Sequence, residues 1–210
     1  MVVGESTRST LNAGVSIFLQ GDPASHVSSL VDGAVRLVRV LPDGRRFAVG
    51  FRFAGDVIGF TATADYPFSA ETLTETTICR IDRRRLVELF GQYPALEARM
   101  LDLCAQELAT TQDHLLVLAR FSAEERVASF LTSLAQTQRE RGRSGIMLDV
   151  PATRADLGDL LGLTLETVSR VLSAFRRRGM IALLPAGRVH LLRPDALACL
   201  ARGEGGRSVN

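Results

Sequence analysis

The segment Arg154–Phe175 limits the possible folds of this chain more than any other segment does. Leucines recur on one helical face in its first half, at positions 157, 160 and 161. Gly162 then suits the left-handed backbone conformation that ends a helix. Two residues later, Thr164 is placed to cap a second helix, with Thr167 at the third helical position. The segment therefore predicts two helices joined by a short turn.

The second of these helices is predicted to be strongly amphipathic. Its apolar residues follow the i, i+3, i+4, i+7 spacing of a buried face: Val168, Val171, Leu172 and Phe175. Polar side chains lie on the opposite face, near the helix N-terminus: Glu166, Ser169, Arg170 and Ser173. Gly158 in the first helix permits close approach by the second. Together these features favour a DNA-binding helix-turn-helix over an ordinary helical hairpin with a solvated face.

The residues that follow predict a wing. Arg176–Arg178 end the second helix in basic side chains, which suits the helix dipole, and Gly179 is a natural stop. Leu183–Leu191 then has the pattern of strand, turn and strand. Arg188 is predicted at the tip of this hairpin, in reach of a DNA phosphate.

The segment from about Val15 to Asp82 has a different pattern. Short apolar stretches alternate with Gly, Pro and Asp at spacings near ten residues, which favours a small antiparallel barrel or sandwich. The clearest prediction is a hairpin, in which Ala34–Leu41 and Phe47–Phe53 are strands and Asp43 and Gly44 supply the turn. Glu71–Ile81, rich in threonine, is predicted as a further strand. With helices in the second half, the chain is expected to have an α+β fold.

A long helix is predicted between these regions. Arg83–Phe90 forms a short helix, and Pro94 begins the next one, which neither Gly nor Pro interrupts before Arg120. Residues alternate along it in steps of three and four, as in the seam of a two-stranded coiled coil: Leu101, Cys104, Leu108, Thr111, Leu115 and Leu118. The seam predicts a homodimer, and a helix packed on its own barrel is the alternative. A capping box at Ser122 predicts a further helix from Ala123 to about Arg139.

Composition narrows the possible functions. Residues 1–119 hold 11 Arg against 14 Asp and Glu, and residues 120–210 hold 14 Arg against 9 Asp and Glu, so the second part is basic, as in a nucleic-acid-binding module. The chain has no lysine, which excludes Schiff-base chemistry and the P-loop. No pattern of catalytic or metal-ligating residues stands out, so neither an enzyme nor a metal site is predicted. Without a membrane span or signal-peptide pattern, the protein is expected in the cytoplasm.

The isolated cysteines suggest no disulfide framework and no four-cysteine metal site. Within the predicted seam, Cys104 faces its own counterpart across the two-fold axis of a dimer. Cys199, near the end of the sequence, is the better candidate for an exposed thiol.

Over nearly its whole length the sequence resembles the Crp/Fnr transcription regulators, and within them the FixK/FnrN branch. The matching motifs are G-D-P-A (Gly21–Ala24), G-A-V-R (Gly33–Arg36), L-P-D-G-R-R (Leu41–Arg46), A-G-D-V-I-G (Ala54–Gly59), Q-D-H-L-L-V-L (Gln112–Leu118) and L-G-L-T-L-E-T-V-S-R (Leu161–Arg170). The last motif is the most specific. The resemblance implies a cyclic-nucleotide-binding-like antiparallel β-barrel (residues 1–94), a dimerisation helix (95–120) and a winged helix-turn-helix domain (121–202). The glycine-rich residues 203–210 are predicted to form a flexible tail.

The resemblance also assigns base reading to Glu166, Ser169 and Arg170. A carboxylate accepts from cytosine N4, an arginine donates two bonds to guanine, and a serine reaches either kind of base edge. Leu165 stands where the cyclic-AMP-responsive branch has an arginine. An apolar residue there matches the Fnr and FixK pattern and suits a thymine methyl group, which implies a TTGA-like half-site. The residues predicted to contact the DNA backbone or support the reading helix are Thr153, Arg154, Thr164, Leu165, Thr167 and Arg188.

The predicted barrel lacks the residues that bind known effectors of this family. A cyclic-nucleotide pocket needs a Gly-Glu pair for the ribose and an Arg-Ser pair for the phosphate, and the corresponding places are Gly59–Phe60 and Phe68–Ser69. A buried phosphate would have no charged partner there. The Fnr iron–sulfur cluster needs an N-terminal cysteine cluster, and no cysteine precedes Cys79. His26 and His114 leave haem open, but no cofactor is predicted.

The sequence therefore predicts a homodimeric transcription regulator, in the first place an activator that recruits RNA polymerase and binds palindromic double-stranded DNA without an effector. The alternative is an effector-sensing interaction protein whose barrel holds a small ligand or haem and whose C-terminal domain binds protein. The basic second part and the Glu-x-x-Ser-Arg face favour the first.

Overall fold

The computed structural model describes residues 6–204, and these form two compact units that divide after Ala109. The predicted flexible tail (203–210) begins in a turn that Arg202 and Gly203 form, and its residues 205–210 lie outside the described residues.

Two antiparallel sheets make up most of the first unit. Their strands are β1 (Thr7–Leu11), β2 (Ser16–Phe18), β3 (His26–Asp32), β4 (Ala34–Val40), β5 (Arg46–Phe53), β6 (Val57–Ile58), β7 (Ser69–Thr72) and β8 (Thr76–Asp82). One sheet has the order β1-β8-β3-β6 and the other β2-β7-β4-β5. Apolar side chains from both sheets form the core: Ile17, Leu30, Val35, Leu37, Ile58, Ala70 and Ile78. The expected α+β fold with an antiparallel N-terminal domain is confirmed.

The hairpin between β4 and β5 forms as predicted, and Gly44 has a φ of 83° in its turn. The prediction of one strand over Glu71–Ile81 is wrong, because β7 and β8 lie in different sheets. The Thr74 hydroxyl accepts from the Ala34 amide at 3.0 Å, and the Thr76 hydroxyl donates to the Thr74 carbonyl at 2.9 Å. These bonds from side chains to the backbone hold a turn between the two strands.

Two helices follow the strands. Helix α1 (Arg83–Gln92) begins at Asp82, whose side chain accepts from two backbone amides of its first turn. Helix α2 (Pro94–Arg120) is continuous, and its first half packs in the first unit, where Met100 joins Val27 and Leu86 in a buried cluster. Across residues 6–204, no helix is both long and apolar enough to span a membrane.

The second unit is mainly helical. After the end of α2 it contains α3 (Ala123–Glu140), β9 (Met147–Asp149), α4 (Arg154–Leu161), α5 (Leu165–Arg177), β10 (Ile181–Leu183), β11 (Arg188–Leu191) and α6 (Pro194–Ala201). Its most deeply buried large side chains include Leu131, Leu148, Phe175 and Leu197. Helix α6, which packs on α3, has no counterpart among the predicted elements. It lacks a side-chain cap at Arg193, and Pro194 at its first position is its only signal of a helix start besides Asp195 in the first turn.

Candidate DNA-binding interface

Helices α4 and α5 form the predicted helix-turn-helix. The Thr153 hydroxyl accepts from the Asp156 amide at 3.1 Å, and the Thr153 amide donates to the Asp156 carboxylate at 2.9 Å, which closes a capping box at the start of α4. Gly162 ends α4 in the left-handed conformation, with φ 60° and ψ 41°. Thr164 caps α5 by accepting from the Thr167 amide at 3.2 Å. The predictions for Gly162 and Thr164 agree with the structure.

Gly158 has a more specific role than the predicted helix-to-helix approach. A Cβ atom at this position would lie 2.7 Å from the Leu163 carbonyl oxygen and 3.5 Å from the Leu165 amide nitrogen. The approaching atoms therefore belong to the backbone of the turn and the first residue of α5. Backbone atoms in a capped turn cannot move aside as a flexible side chain does.

A Gly158→Ala substitution is therefore expected to lower the free energy of unfolding by about 1–3 kcal/mol, a typical effect of overpacking. Gly91 supplies a matched control, since it is also helical and a Cβ there meets nothing within 4 Å. Gly91→Ala is expected to raise the free energy of unfolding by up to about 1 kcal/mol through helix propensity. Urea denaturation of both variants measures the two effects. A Gly158→Ala protein as stable as the wild type would contradict the tight approach.

The polar face of α5 presents the residues predicted to read bases. Glu166 and Arg170 are exposed, and Ser169 is half-buried between them along the helix. Arg170 donates from Nη2 to the Thr167 hydroxyl at 3.1 Å. Thr167 thus links the cap of α5 to the arginine, and it restrains the guanidinium over the N-terminal half of the helix.

Glu166 is held in its charged form. A hydrogen bond from its own backbone amide, and a second from the Thr164 side chain, lower the pKa of Glu166 below its usual range. Because the pKa of Glu166 is lowered in the folded protein, its carboxylate stays ionised at neutral pH and into the acidic range. The carboxylate takes up a proton only as the pH falls through this lowered pKa. An ionised carboxylate is the form that accepts from cytosine N4.

The opposite face of α5 anchors the helix in the core. The predicted set is buried throughout: Val168, Val171, Leu172 and Phe175. Because the reading face and the buried face belong to one helix, burial of the apolar face leaves Glu166 and Arg170 on the exposed side.

The wing is a three-stranded sheet with the order β10-β11-β9. Its turn places Ala186 and Gly187 at positive φ, and a Cβ on Gly187 would lie 2.5 Å from the Val150 carbonyl oxygen. Arg188 follows at the first position of β11 and is exposed. The third strand, β9, pairs with β11 through Val189 and Leu148.

The remaining residues predicted to contact DNA differ in their burial and in the contacts that they make within the protein. The Thr153 hydroxyl donates to the Asp156 carboxylate, so its observed role is to support the start of α4. Arg154 is half-buried, and burial lowers its pKa, although an arginine remains charged at neutral pH. Leu165 is 48% exposed at the first position of α5.

Two residues outside the predicted site support its turn. His114 on α2 and Arg126 on α3 both donate to carbonyl oxygens at the end of α4. The helix-turn-helix pattern carries no signal for these contacts, since the partners lie 46 and 35 residues away.

The stripe predicted as a dimer seam is largely exposed in the single chain. Leu101, Leu108 and Leu115 are 65%, 60% and 60% exposed. Cys104 and Thr111 between them are exposed, and Leu118 is half-buried. The expectation for Cys199 is wrong, because this side chain is half-buried and its thiol donates to Glu204 at 3.6 Å. Cys104 is the more exposed of the two thiols.

Of the barrel positions that the resemblance singles out, Phe60 is exposed, whereas Phe68 and Ser69 make contacts within the barrel. Phe68 packs against the core of the two sheets, and the Ser69 hydroxyl accepts from the Gln20 amide at 2.9 Å. Tyr66 stacks on Phe18, and its hydroxyl donates to the His26 carbonyl at 2.7 Å. The His26 ring lies 2.8 Å from the Ser25 hydroxyl.

Two domain-family models match the chain. Residues 8–93 match the cyclic nucleotide-binding domain, and residues 125–200 match the Crp-like helix-turn-helix domain. The second match contains α4, α5 and the wing.

Whole proteins of known role are similar over most of their length. The nitrogen fixation regulation protein FixK of Rhizobium meliloti is 39% identical over 191 residues, which cover 91% of this chain and 85% of that protein. The transcriptional activatory protein AadR of Rhodopseudomonas palustris is 36% identical over 186 residues, covering 89% and 77%. Among solved structures, FixK2 from Bradyrhizobium japonicum has a TM-score of 0.85 at 33% identity, covering 93% of this chain and 96% of that one.

Proposed function

Since the chain belongs to the Crp/Fnr family of transcription regulators, we propose that it is an activator that binds a palindromic, TTGA-type DNA site as a homodimer. The observation that carries this proposal is the exposed pair Glu166 and Arg170 on a helix whose other face is fully buried. Selection of bound sequences from random DNA tests it. Two inverted half-sites about one helical turn apart are expected.

The chemistry of α5 supports this half-site. Arg170 presents a fork that matches guanine O6 and N7, and the ionised Glu166 accepts from cytosine N4. Leu165, exposed at the start of the helix, suits a thymine methyl group. Ser169 lies between the two charged side chains and reaches either kind of base edge. We assign base reading to Glu166, Ser169 and Arg170.

Replacing Arg170 by alanine is expected to cost about 1–3 kcal/mol at the selected site and to relax the preference at one guanine–cytosine pair. Arg188 and Arg154 are the matched controls, because we assign them to the DNA backbone. Their alanine variants should bind all DNA sequences more weakly by the same factor, and their binding should depend less on salt concentration. Competition between the selected site and scrambled DNA, at several salt concentrations, separates the two behaviours.

Equal losses by Arg170→Ala on the selected and scrambled DNA would show that this arginine contacts only phosphate. If no DNA is retained in the selection, the alternative gains weight, in which the C-terminal domain binds protein. Activation itself is tested by transcription in vitro with purified RNA polymerase, from a promoter that carries the selected site.

We propose that the barrel is a scaffold that needs no cyclic nucleotide. Phe68 packs against the core, and the Ser69 hydroxyl accepts from the Gln20 amide. Neither side chain supplies a positive charge for a phosphate, which is costly to bury alone. Cyclic AMP is therefore expected to leave the DNA affinity unchanged in a titration, and an affinity that rises with added nucleotide would overturn this part of the proposal.

A further inference from the structure

The end of α4 is held by side chains that reach it from outside the helix-turn-helix. The last four carbonyl groups of a helix have no partner within it. In α4, those of Gly158 and Asp159 accept from the backbone of the turn, at Leu163 and Gly162. The Leu160 carbonyl accepts from His114 Nε2 at 2.9 Å, and the Leu161 carbonyl from Arg126 Nη1 at 3.0 Å. All four groups are therefore satisfied, two of them by other helices.

Arg126 joins the ends of two helices with one guanidinium. Besides Leu161, Nη1 reaches the Gly162 carbonyl at 3.4 Å. Nη2 donates to the Leu118 carbonyl at 2.8 Å, and Nε to the Phe121 carbonyl at 2.9 Å. The planar, rigid group thus fixes the end of α2 against the end of α4.

These contacts lie beside the exposed stripe of α2. His114 directly precedes Leu115, and Leu118 supplies both a stripe position and a carbonyl acceptor for Arg126. A Cβ on Gly162 would lie 3.6 Å from Leu118 Cδ2, so this end of α2 closely approaches the turn. Within the second unit, the last part of the stripe, at Leu115 and Leu118, is therefore connected to the turn before the reading helix.

We propose that His114 and Arg126 are positioning residues that fix the reading helix relative to the dimer seam, and that they thereby set the spacing between half-sites. The inference rests on the proposed function. In a symmetric dimer, the distance between the two reading helices depends on how rigidly each is held to the seam. Weakening the contacts of His114 and Arg126 leaves the reading face of α5 unchanged, but it lets the orientation of α5 relative to the seam vary.

The test uses His114→Leu with His114→Gln as its matched control. Leucine removes the donor, whereas a glutamine amide returns an N–H close to the position of Nε2. Binding is measured on DNA in which the two selected half-sites are separated by spacers that differ by one and two base pairs. The preference of His114→Leu for the best spacer is expected to fall about fivefold, as the loss of one hydrogen bond implies. His114→Gln should recover the wild-type preference.

Arg126→Lys gives an independent variant, since an ammonium cannot reach four carbonyl groups from one position. Its loss of spacing preference is expected to exceed that of His114→Leu, while both variants keep the wild-type base preference within a half-site. Spacing preferences equal to the wild type in both variants would overturn the inference. The inference would also be overturned if both variants lost base preference within a half-site as strongly as they lost spacing preference. The two residues would then act only on folding. A wild type that shows no preference between spacers instead refutes the proposed dimeric binding.

Discussion

A Leu108→Glu substitution is expected to convert the proposed dimer to a monomer and to weaken binding to the palindromic site about 10²–10⁴-fold, the range that a second linked binding event contributes. Leu108 is 60% exposed in the single chain and stands near the middle of the stripe. In a two-stranded seam the substitution would bury two carboxylates against each other, at a high desolvation cost. Sedimentation velocity measures the assembly, and gel shift on the palindrome measures the affinity.

Leu116 offers a matched control on the same helix. It is 57% exposed but stands outside the alternation of three and four residues that defines the seam. Leu116→Glu is therefore expected to remain dimeric and to bind DNA like the wild type. A short thiol cross-linker adds a second readout through the exposed Cys104, with Cys104→Ser as its control. A Leu108→Glu protein that still sediments as a dimer would place the interface elsewhere.

Affinity for a single half-site separates loss of assembly from loss of fold. Each monomer of Leu108→Glu keeps its own α5, so its weak binding to a half-site should match that of the wild type. A loss on the half-site as large as on the palindrome would instead show that Leu108 supports the fold of one chain.

The helix-turn-helix was predictable because its signals are local. Thr153, Gly162 and Thr164 act on backbone groups within a few residues of themselves, so their spacing in the sequence specifies the caps. The buried face of α5 follows from helical periodicity, which also needs no knowledge of distant residues. The same reasoning predicted the stripe on α2, which is largely exposed in the single chain.

The contacts that depend on distant partners were not predictable in this way. His114 lies within the motif that carries the resemblance, yet its acceptor, Leu160, follows 46 residues later. Likewise, the break between β7 and β8 depends on a bond between Thr74 and Ala34, 40 residues apart. Because threonine favours strands, the pattern around Thr74 predicted an uninterrupted strand. In the structure, the hydrogen bond to Ala34 holds a turn at this point instead.

The prediction for Phe175 tests how far the reading face depends on the core beneath it. Phe175→Ala is expected to lower the free energy of unfolding by about 3–5 kcal/mol, because a fully buried aromatic ring leaves a cavity when it is removed. Typical stabilities are about 5–15 kcal/mol, so the second unit would lose a large share of its own. Guanidinium denaturation followed by circular dichroism measures the change.

Two comparisons identify the cause of this loss. Leu192→Ala in the same unit removes an apolar side chain that is 48% exposed, and it is expected to change stability by less than about 1 kcal/mol. Phe175→Leu keeps most of the buried volume and should recover much of the lost stability. Because Phe175 lies on the face of α5 opposite Glu166 and Arg170, protein that remains folded should keep the wild-type base preference. A changed base preference in the folded fraction would mean that the core sets the direction of the reading side chains, rather than only the stability of the helix that carries them.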